Sequence, residues 1–328
     1  MNKKSLCILF TGLVLMAAGI TAATCIGTKQ IPLSVVWDSI FHYEEVLEKQ
    51  LVRDVRIPRA IAAALTGGLL AAAGGAMQGV VRNPAAEPSI MGMTQGATLA
   101  VAAVNVYGAM NGIIGRTGAA FAGAVIGGIL VLIFSMRNTK SMNMTRLLLA
   151  GTAVSTFFLS LASMIAIIGN RSYELAFWIA GGFQNIGWKE VAGLMVIGGL
   201  CLAVIFLFAQ KINIVSLGED TAIGLGVNPS KIRLIVIILL MPICGVCVAV
   251  AGNIAYVGLI IPHIIRKITG NDYKKILSLS FVWGGTLLVW ADIAAKMVNT
   301  PYETPIGLFT ALLGIPVFLI LIRRERSV

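Results

Sequence analysis

The feature that most constrains this chain is a series of long apolar segments that are almost free of charged residues. A transmembrane helix needs about 20 consecutive apolar residues to cross the hydrocarbon core. Eight segments of suitable length are 6–26, 60–81, 90–108, 117–136, 147–168, 191–209, 277–295 and 305–322. Only 12% of the 328 residues are charged, about half the share found in soluble domains. We therefore predict an all-α, multi-pass integral membrane protein.

A ninth apolar segment, residues 234–265, is longer than the others. It has no Asp, Glu, Lys or Arg in 32 positions, which is too long for one crossing and too short for two. Gly252, Asn253, Gly258 and Pro262 interrupt its second half. The pattern predicts a full helix to about Gly252, a bend, and a short returning helix, with the bend shielded by protein or lining a cavity. The total is about ten spans, with both chain ends on one side.

Lys and Arg are distributed unevenly between the two sides of this topology. The side with the chain ends carries 16 basic and five acidic residues, and the other side carries nine of each. The positive-inside rule then predicts cytoplasmic N- and C-termini. The net charge of +11 is explained by topology and by anionic lipid, so we do not expect nucleic acid as a partner. Residues 6–26 are predicted to be a retained first helix, with a cleaved signal peptide as the alternative.

The cysteines and histidines do not suggest a metal site. Cys244 and Cys247 have CxxC spacing, but no second pair accompanies them and they lie in an apolar segment. His42 and His263 are far apart in the chain. Small buried hydrophobic residues are the simpler interpretation of the cysteines, and His263 is expected to be a packed or hydrogen-bonded structural residue. We predict no metal and no cofactor.

A weak internal repeat links two of the spans. "GGLLAAAGG" (67–75) in span two resembles "GVCVAVAGN" (245–253) in span seven. These spans are five apart and so run in opposite directions, which indicates an inverted repeat of the kind found in transporters. Two independent small-residue helix contacts are the alternative.

Two polar stretches are more elaborate than a connection between spans requires. "RNPAAEPSIMG" (82–92) contains two turn-setting pairs that end in proline. "SLGEDTAIGLGVNPSKIR" (216–233) places two acidic residues where they favour the start of a short helix. A short helix lying along the membrane surface is a docking site, whereas the alternative is a capped turn between spans.

The chain resembles the FecCD-type permease subunits of binding-protein-dependent ABC importers for iron-siderophores, haem and cobalamin, which have the type II ABC importer architecture. The resemblance rests on segments spread in order over nearly the whole chain. They are 56–92, "LLLAGTAVSTFF" (147–158), "FWIAGGF" (177–183), "LGEDTAIGLGVN" (217–228), "VAVAGNIAYVGLIIPHIIR" (248–266), "WADIAAK" (290–296) and "TPIGLFTALLGIPVFLILIRR" (304–324). One departure is Ala85, where the family usually has Leu.

The resemblance implies a single transmembrane permease domain, 1–328, that pairs with a second permease around one central pathway. Two separate ATP-binding subunits dock beneath the pair, and an extracytoplasmic binding protein delivers the ligand. Segment 216–231 then corresponds to the coupling element that sits in an ATPase cleft, with the loop at 82–92 nearby on the inner face. The implied coupling residues are Ser216, Leu217, Gly218, Glu219, Asp220, Gly224 and Gly226, together with Asn83, Pro84 and Glu87.

The chain lacks the sequence features of an enzyme. A P-loop needs a Gly-Lys pair to hold phosphates, and this chain has none. P-loop hydrolysis of ATP would therefore belong to another polypeptide.

A basic cluster lies at the outer entrance to span two. "VRDVRIPR" places Arg53, Arg56 and Arg59 there, and the spacing of the last two puts them on one helix face. The resemblance implies that Arg56 and Arg59, joined by Arg53 and Lys296, face acidic residues of the binding protein. The alternative is a set of interfacial arginines that reach the lipid headgroups.

Span five carries hydroxyl side chains at helical spacing. Thr152, Ser155, Thr156 and Ser160 suit either a wettable pathway or close helix contact. The resemblance places this span beside the central pathway.

The sequence therefore predicts a permease subunit, with ferric siderophore as the first choice of cargo and haem or cobalamin as alternatives. An ion-coupled secondary transporter is the competing class, since such proteins often use carboxylates or histidines within the membrane. Spans one to seven contain no Asp, Glu or His, which disfavours it.

Overall fold

A computed structural model describes residues 3–27, 29–42, 44–108, 113–136, 144–300 and 302–325, and these residues form helices and their connections without strands. The first half of the chain has α1 (Lys3–Cys25), α2 (Leu33–Phe41), α3 (Leu47–Leu51), α4 (Ile57–Val81), α5 (Met93–Tyr107), α6 (Ile113–Met136), α7 (Met144–Ile168) and α8 (Ser172–Ala180). The second half has α9 (Trp188–Gly193), α10 (Gly199–Leu207), α11 (Ala209–Leu217), α12 (Glu219–Gly224), α13 (Pro229–Ala251), α14 (Val257–Thr269), α15 (Tyr273–Val298) and α16 (Ile306–Glu325). Wider π-helical turns join α3 to α4 and α9 to α10.

Within the described residues, the predicted spans correspond to ten helical segments, in which α9 and α10 together form span six. Among the described residues, seven helices are long and apolar enough to cross a membrane. The other three spans are α5, α14 and α16. The apolar part of α16, Ile306–Val317, is shorter than the seven long helices. The break after span seven is confirmed, because α13 ends at Ala251 and α14 begins at Val257.

Helix α4 lies at the centre of the fold and packs through glycine. A Cβ atom at Gly74 would lie 1.9 Å from the carbonyl oxygen of Gly258 in α14, and one at Gly67 would lie 2.2 Å from that of Gly284 in α15. No side chain fits at these positions, so the small residues of segment 67–75 bring three backbones into direct contact.

The packing also fixes the direction of each helix. Trp283 and Trp290 donate their Nε1–H groups to the carbonyls of Ile8 and Leu15, both at 3.2 Å, so α1 and α15 run in the same direction. Helix α4 runs the opposite way, because Gly79 near its end packs on Tyr273 at the start of α15. The end of the bundle that holds the starts of α1 and α15 and the end of α4 is called the terminal face below, and the other end is called the distal face.

The inverted repeat has a structural counterpart. Helix α4 is followed by a break that contains a single 3₁₀ turn, Pro88–Met91, and then by the short α5, whereas α13 is followed by a break and the short α14. Helices α4 and α13 run in opposite directions, because Arg233 at the start of α13 donates its Nε–H to the carbonyl of Val80 at the end of α4. The two breaks meet where the Glu87 carboxylate accepts a hydrogen bond of 2.9 Å from the backbone N–H of Tyr256.

This contact shows that loop 82–92, which is predicted to be part of the inner face, also reaches into the bundle. Gly92 packs against Gly127 and Val154, which lie nine residues before the end of α6 and ten residues after the start of α7. At 1.5 Å per residue, the loop reaches about 14 Å into the bundle. The α-helical part of span three is therefore short, because part of its crossing is made by loop 82–92 with its 3₁₀ turn at Pro88–Met91, which the surrounding helices shield.

Candidate functional site

Segment 216–231 forms a protruding element on the terminal face. Gly218 has φ of 140°, a conformation that favours glycine, and it separates α11 from α12. Glu219 and Asp220 occupy the first turn of α12, where carboxylates are stabilised by the helix dipole. Gly226, with φ of 75°, turns the chain, and Asn228 then caps α13 by accepting from the Lys231 N–H at 3.1 Å. The short helix expected from the sequence is therefore present.

The same segment exposes apolar side chains. Leu217, Ile223 and Leu225 are each at least 60% exposed, and Asp220 beside them is also exposed. Ser216 bonds to its own helix through the carbonyl of Asn213, and the glycines Gly224 and Gly226 are open to solvent. The element therefore presents a small exposed apolar surface next to the Asp220 carboxylate, to which a partner protein can bind.

Arg233 connects this element to the bundle. Its side chain is buried, its Nε–H donates to the Val80 carbonyl at 3.0 Å, and its Nη1 lies 3.6 Å from a carboxylate oxygen of Glu219. Sequence reasoning did not single out Arg233. One sequence feature could have identified it: Arg233 directly precedes the long uncharged segment 234–265. A cation at such a position is buried only when a specific partner compensates its charge.

The residues of loop 82–92 divide between two environments. Asn83 accepts from the Ala85 N–H at 2.9 Å and sets the turn through Pro84 at the terminal face. Arg82 is exposed there, and a guanidinium nitrogen of Arg82 lies 3.9 Å from the position of a Cβ on Gly218. Glu87, by contrast, is 8% exposed and lies at the break before α14. The loop therefore joins the protruding element to the interior of the bundle.

On the distal face, the predicted basic cluster separates into different roles. Arg59 contacts Asp292 at 2.8 Å and forms a bidentate pair with Glu303 at 2.6 and 3.0 Å, and Lys296 lies 2.7 Å from the second oxygen of Asp292. The Asp292 side chain is 1% exposed, whereas that of Glu303 is 36% exposed. Arg59, Asp292 and Lys296 thus join α4, α15 and the loop before α16.

Arg56 does not share this surface. It is 7% exposed, and its guanidinium donates to the carbonyls of Thr24 and Cys25 at 2.9 Å and to that of Lys29. The π-helical turn at 52–56 sends Arg56 toward the end of α1 and Arg59 toward α15. The two guanidinium groups therefore point in different directions, and the docking role expected for Arg56 and Arg59 stays a prediction. Arg53 is exposed, and its carbonyl accepts from the Trp188 indole at 3.0 Å.

A cleft of about 1040 Å³ opens on the distal face between the start of α4 and the turn before α9. Arg59 and Glu303 lie at its rim, together with the aromatic side chains of Tyr173, Trp188 and Tyr302. The cleft can therefore offer charged and aromatic contacts to a molecule that approaches this face.

Helix α7 has a face that the other described residues do not cover. Thr152, Thr156 and Ser160 are exposed at four-residue spacing, and each hydroxyl donates to a carbonyl one turn earlier in α7 at 2.9–3.0 Å. Their lone pairs remain free to accept hydrogen bonds from outside the helix. Ser155 is half-buried beside them. The face is wettable, although Leu149 and Phe157 make it partly apolar.

In the described part of the chain, no group of three or more His, Cys, Asp or Glu residues is placed to hold a metal. Cys244 and Cys247 are free and buried, so they pack as small apolar residues. The ring nitrogens of His263 have no hydrogen-bond partner among the described residues, which leaves packing as its visible role.

Comparison with known proteins identifies the family. A profile of the FecCD transport family matches residues 14–324. The chain belongs to the FecCD transport family. It is 42% identical to the iron(3+)-hydroxamate import system permease protein FhuB of Bacillus subtilis, over 97% of this chain and 83% of that protein. It is 32% identical to the Fe(3+)-citrate import system permease protein YfmD of the same organism, over 99% of this chain and 97% of that protein.

A solved structure has the same architecture. It is an inward-facing conformation of a metal-chelate type ABC transporter, with a TM-score of 0.83 and 27% identity over 97% of this chain and 99% of that one. The resemblance read from the sequence is confirmed, and so is the multi-pass membrane fold of a FecCD-type ABC importer permease.

Proposed function

We propose that this chain is the permease subunit of an ABC importer for ferric siderophores in a bacterial cytoplasmic membrane. It carries no hydrolytic chemistry of its own and forms the translocation pathway with a second permease. The observation that carries this proposal is the pairing of the family match with the protruding element on the terminal face. A transporter that works alone has no need of an exposed apolar helix joined to its bundle by a buried cation.

The terminal face is the side on which two ATP-binding subunits dock in this proposal. Leu217, Ile223 and Leu225 enter a cleft in the ATPase, and Asp220 adds a charged contact. Movement of α12 reaches α4 through Glu219 and Arg233, because the same guanidinium contacts Val80 at the end of α4. The positive-inside distribution supports a cytoplasmic position for this face and for both chain ends.

The distal face is the docking surface for an extracytoplasmic binding protein. Arg53 is the exposed cation of the predicted cluster, and the part of Arg59 that meets Glu303 lies at the cleft rim. Lys296 supports the site from within, because its side chain is only 9% exposed. Complementary charge at such a surface speeds encounter and makes it sensitive to salt.

The pathway runs along the uncovered face of α7. Thr152, Thr156 and Ser160 supply hydrogen-bond acceptors along this face, and Ser155 lies at its edge. A bulky metal chelate carried through the membrane meets few charged groups on such a surface, so the binding protein sets much of the selectivity.

The proposal is tested by uptake in cells that lack this chain and in the same cells with the chain restored. Radiolabelled ferric hydroxamate, ferric citrate, haem and cobalamin are supplied separately. We expect restored uptake of a ferric siderophore, with the hydroxamate first because of the 42% identical relative. Restoration of haem or cobalamin uptake alone would keep the architecture and overturn the cargo. Restoration of none, with no ATPase co-purifying, would favour a transporter that works alone.

A further inference from the structure

Helix α2 carries an apolar face that no other described part of the chain covers. Val36 and Ser39 are buried against the protein. Leu33, Trp37, Ile40 and Phe41 are instead 55–61% exposed. Their spacing of four, seven and eight residues from Leu33 places them on one stripe of the helix. The rings of Trp37 and Phe41 contact each other within this stripe, with centroids 4.6 Å apart.

The polar residues of α2 lie off this stripe. At 100° per residue, Asp38 falls beyond Phe41 on the side away from the buried face. Asp38 lies 3.8 Å from His42, and both side chains are more than half exposed. The helix thus has a buried face, a polar face and an uncharged apolar face, which is the pattern of a helix that lies in a membrane interface.

The position of α2 along the bundle is fixed by Arg56. Its guanidinium holds the carbonyls of Thr24 and Cys25 at the end of α1 and that of Lys29 in the following turn. The carbonyls at a helix end otherwise lack partners. The Ile31 N–H also returns to the Cys25 carbonyl at 3.0 Å. The clamp therefore keeps α2 next to the end of α1.

The end of α1 marks the edge of the bilayer. Helix α1 has 23 residues, a length of about 34 Å, which slightly exceeds the hydrocarbon thickness of about 30 Å. Only 17% of its apolar window is buried in the protein, and Phe10 and Val14 are among its exposed side chains. A surface of this kind faces lipid in a multi-pass membrane protein. Helix α2 touches α1, so its apolar stripe continues the lipid-facing surface.

We infer that α2 is an interfacial anchor whose Leu33, Trp37, Ile40 and Phe41 side chains insert into the phospholipid of the distal leaflet, at the boundary between headgroups and acyl chains. Aromatic side chains concentrate at this depth because they combine an apolar ring with a polar edge. The stripe carries no charged side chain, so it does not suit a binding protein that docks through complementary charge. The anchor holds the turn that Arg56 clamps, and therefore the start of α4. The inference rests on the membrane fold and not on the cargo.

Fluorescence quenching of Trp37 tests this inference. The full chain, with any subunits that co-purify, is placed in nanodiscs of phosphatidylcholine and phosphatidylglycerol, with and without bromine near the headgroup end of the acyl chains. The signal of Trp37 is the difference between the wild type and Trp37→Phe. Trp188→Phe is the matched control, because Trp188 is also partly exposed on the distal face but lies outside α2. We expect brominated lipid to quench most of the Trp37 signal and acrylamide in the water to quench little of it.

Two results would overturn the anchor. Strong quenching of Trp37 by acrylamide, with none by brominated lipid, would place the stripe in water. Protection of Trp37 from both quenchers, gained when a binding protein or a second permease is added, would assign the stripe to that protein. Ile40→Asp supplies a second check with Trp37 in place. A charge on the stripe should increase quenching by acrylamide and decrease quenching by lipid, and an unchanged ratio would contradict insertion.

Discussion

Arg233 is a buried cation with contacts on two different parts of the terminal face. Replacement by Gln removes the charge and weakens the link between Glu219 on α12 and the Val80 carbonyl at the end of α4. We expect Arg233→Gln to lower the amount of cargo transported per ATP hydrolysed in a complex with its ATPase, while ATP hydrolysis continues. Lys231→Gln is the control, because Lys231 is exposed two residues away. If the two variants transport the same amount of cargo per ATP hydrolysed, Arg233 has no role in coupling.

Asp292 is the carboxylate on which two cations of the distal face depend. Asp292→Asn keeps the shape of the side chain but leaves Arg59 and Lys296 with reduced compensation in a buried site. Loss of one partner from a buried ion pair costs about 3–5 kcal/mol. Glu303→Gln breaks a partly exposed pair and should cost about 1 kcal/mol or less. The thermal midpoint of unfolding in detergent should therefore be highest for the wild type, lower for Glu303→Gln and lowest for Asp292→Asn. Similar midpoints for the two variants would contradict the conclusion that the Asp292 pair is the more deeply buried of the two.

At the scale of elements, the contact between the two breaks joins the two halves of the inverted repeat. The Glu87 carboxylate accepts from the Tyr256 N–H, and the break it meets is also bonded to α8, because the Asn253 N–H donates to the Trp178 carbonyl at 2.9 Å. Loop 82–92 begins beside Gly218 of the protruding element. A continuous set of contacts therefore leads from the terminal face to α8 near the distal face.

Two substitutions separate the hydrogen bond of Glu87 from its charge. Glu87→Gln retains an acceptor for the Tyr256 N–H, whereas Glu87→Ala leaves that N–H unpaired in a buried site, at a cost of about 1–3 kcal/mol. We expect the thermal midpoint of the purified permease to fall for the alanine variant and to change little for the glutamine variant. Equal losses in both variants would show that the charge is what matters.

The elements also show which features the sequence could predict. Span positions and the break after α13 followed from hydropathy and from Gly252, because a helix in lipid must be apolar and long. The course of loop 82–92 did not follow, since its Arg, Asn and Glu are typical of a surface turn. Glu87 is tolerated inside because a specific N–H faces it, and that partner is 169 residues away in the chain. The burial of Arg56 was missed for the same reason, since its acceptors are backbone carbonyls, which sequence patterns do not reveal.

At the scale of the whole molecule, the uncovered face of α7 distinguishes a water-filled pathway from a surface that meets lipid. In a variant without native cysteines, Thr156→Cys should react with a membrane-impermeant thiol reagent in the assembled importer, and the rate should change when ATP is bound. Leu200→Cys is the control, because Leu200 on α10 is 64% exposed in the single chain but carries no hydroxyl neighbours at helical spacing and is expected to face lipid.

The outcome for these two positions decides how the permease is assembled around its cargo. Labelling at Thr156 but not at Leu200 would place the hydroxyl face of α7 along a hydrated path, because the reagent requires water to reach the thiol. Labelling at neither position would mean that α7 faces lipid or a dry contact with the second permease, and the pathway would then have to be sought on another face. Labelling at both would contradict the lipid-facing position of α10. The hydroxyls bond within α7, so Thr156→Cys removes no contact between helices, and its reactivity reports on water at that face and not on a loosened fold.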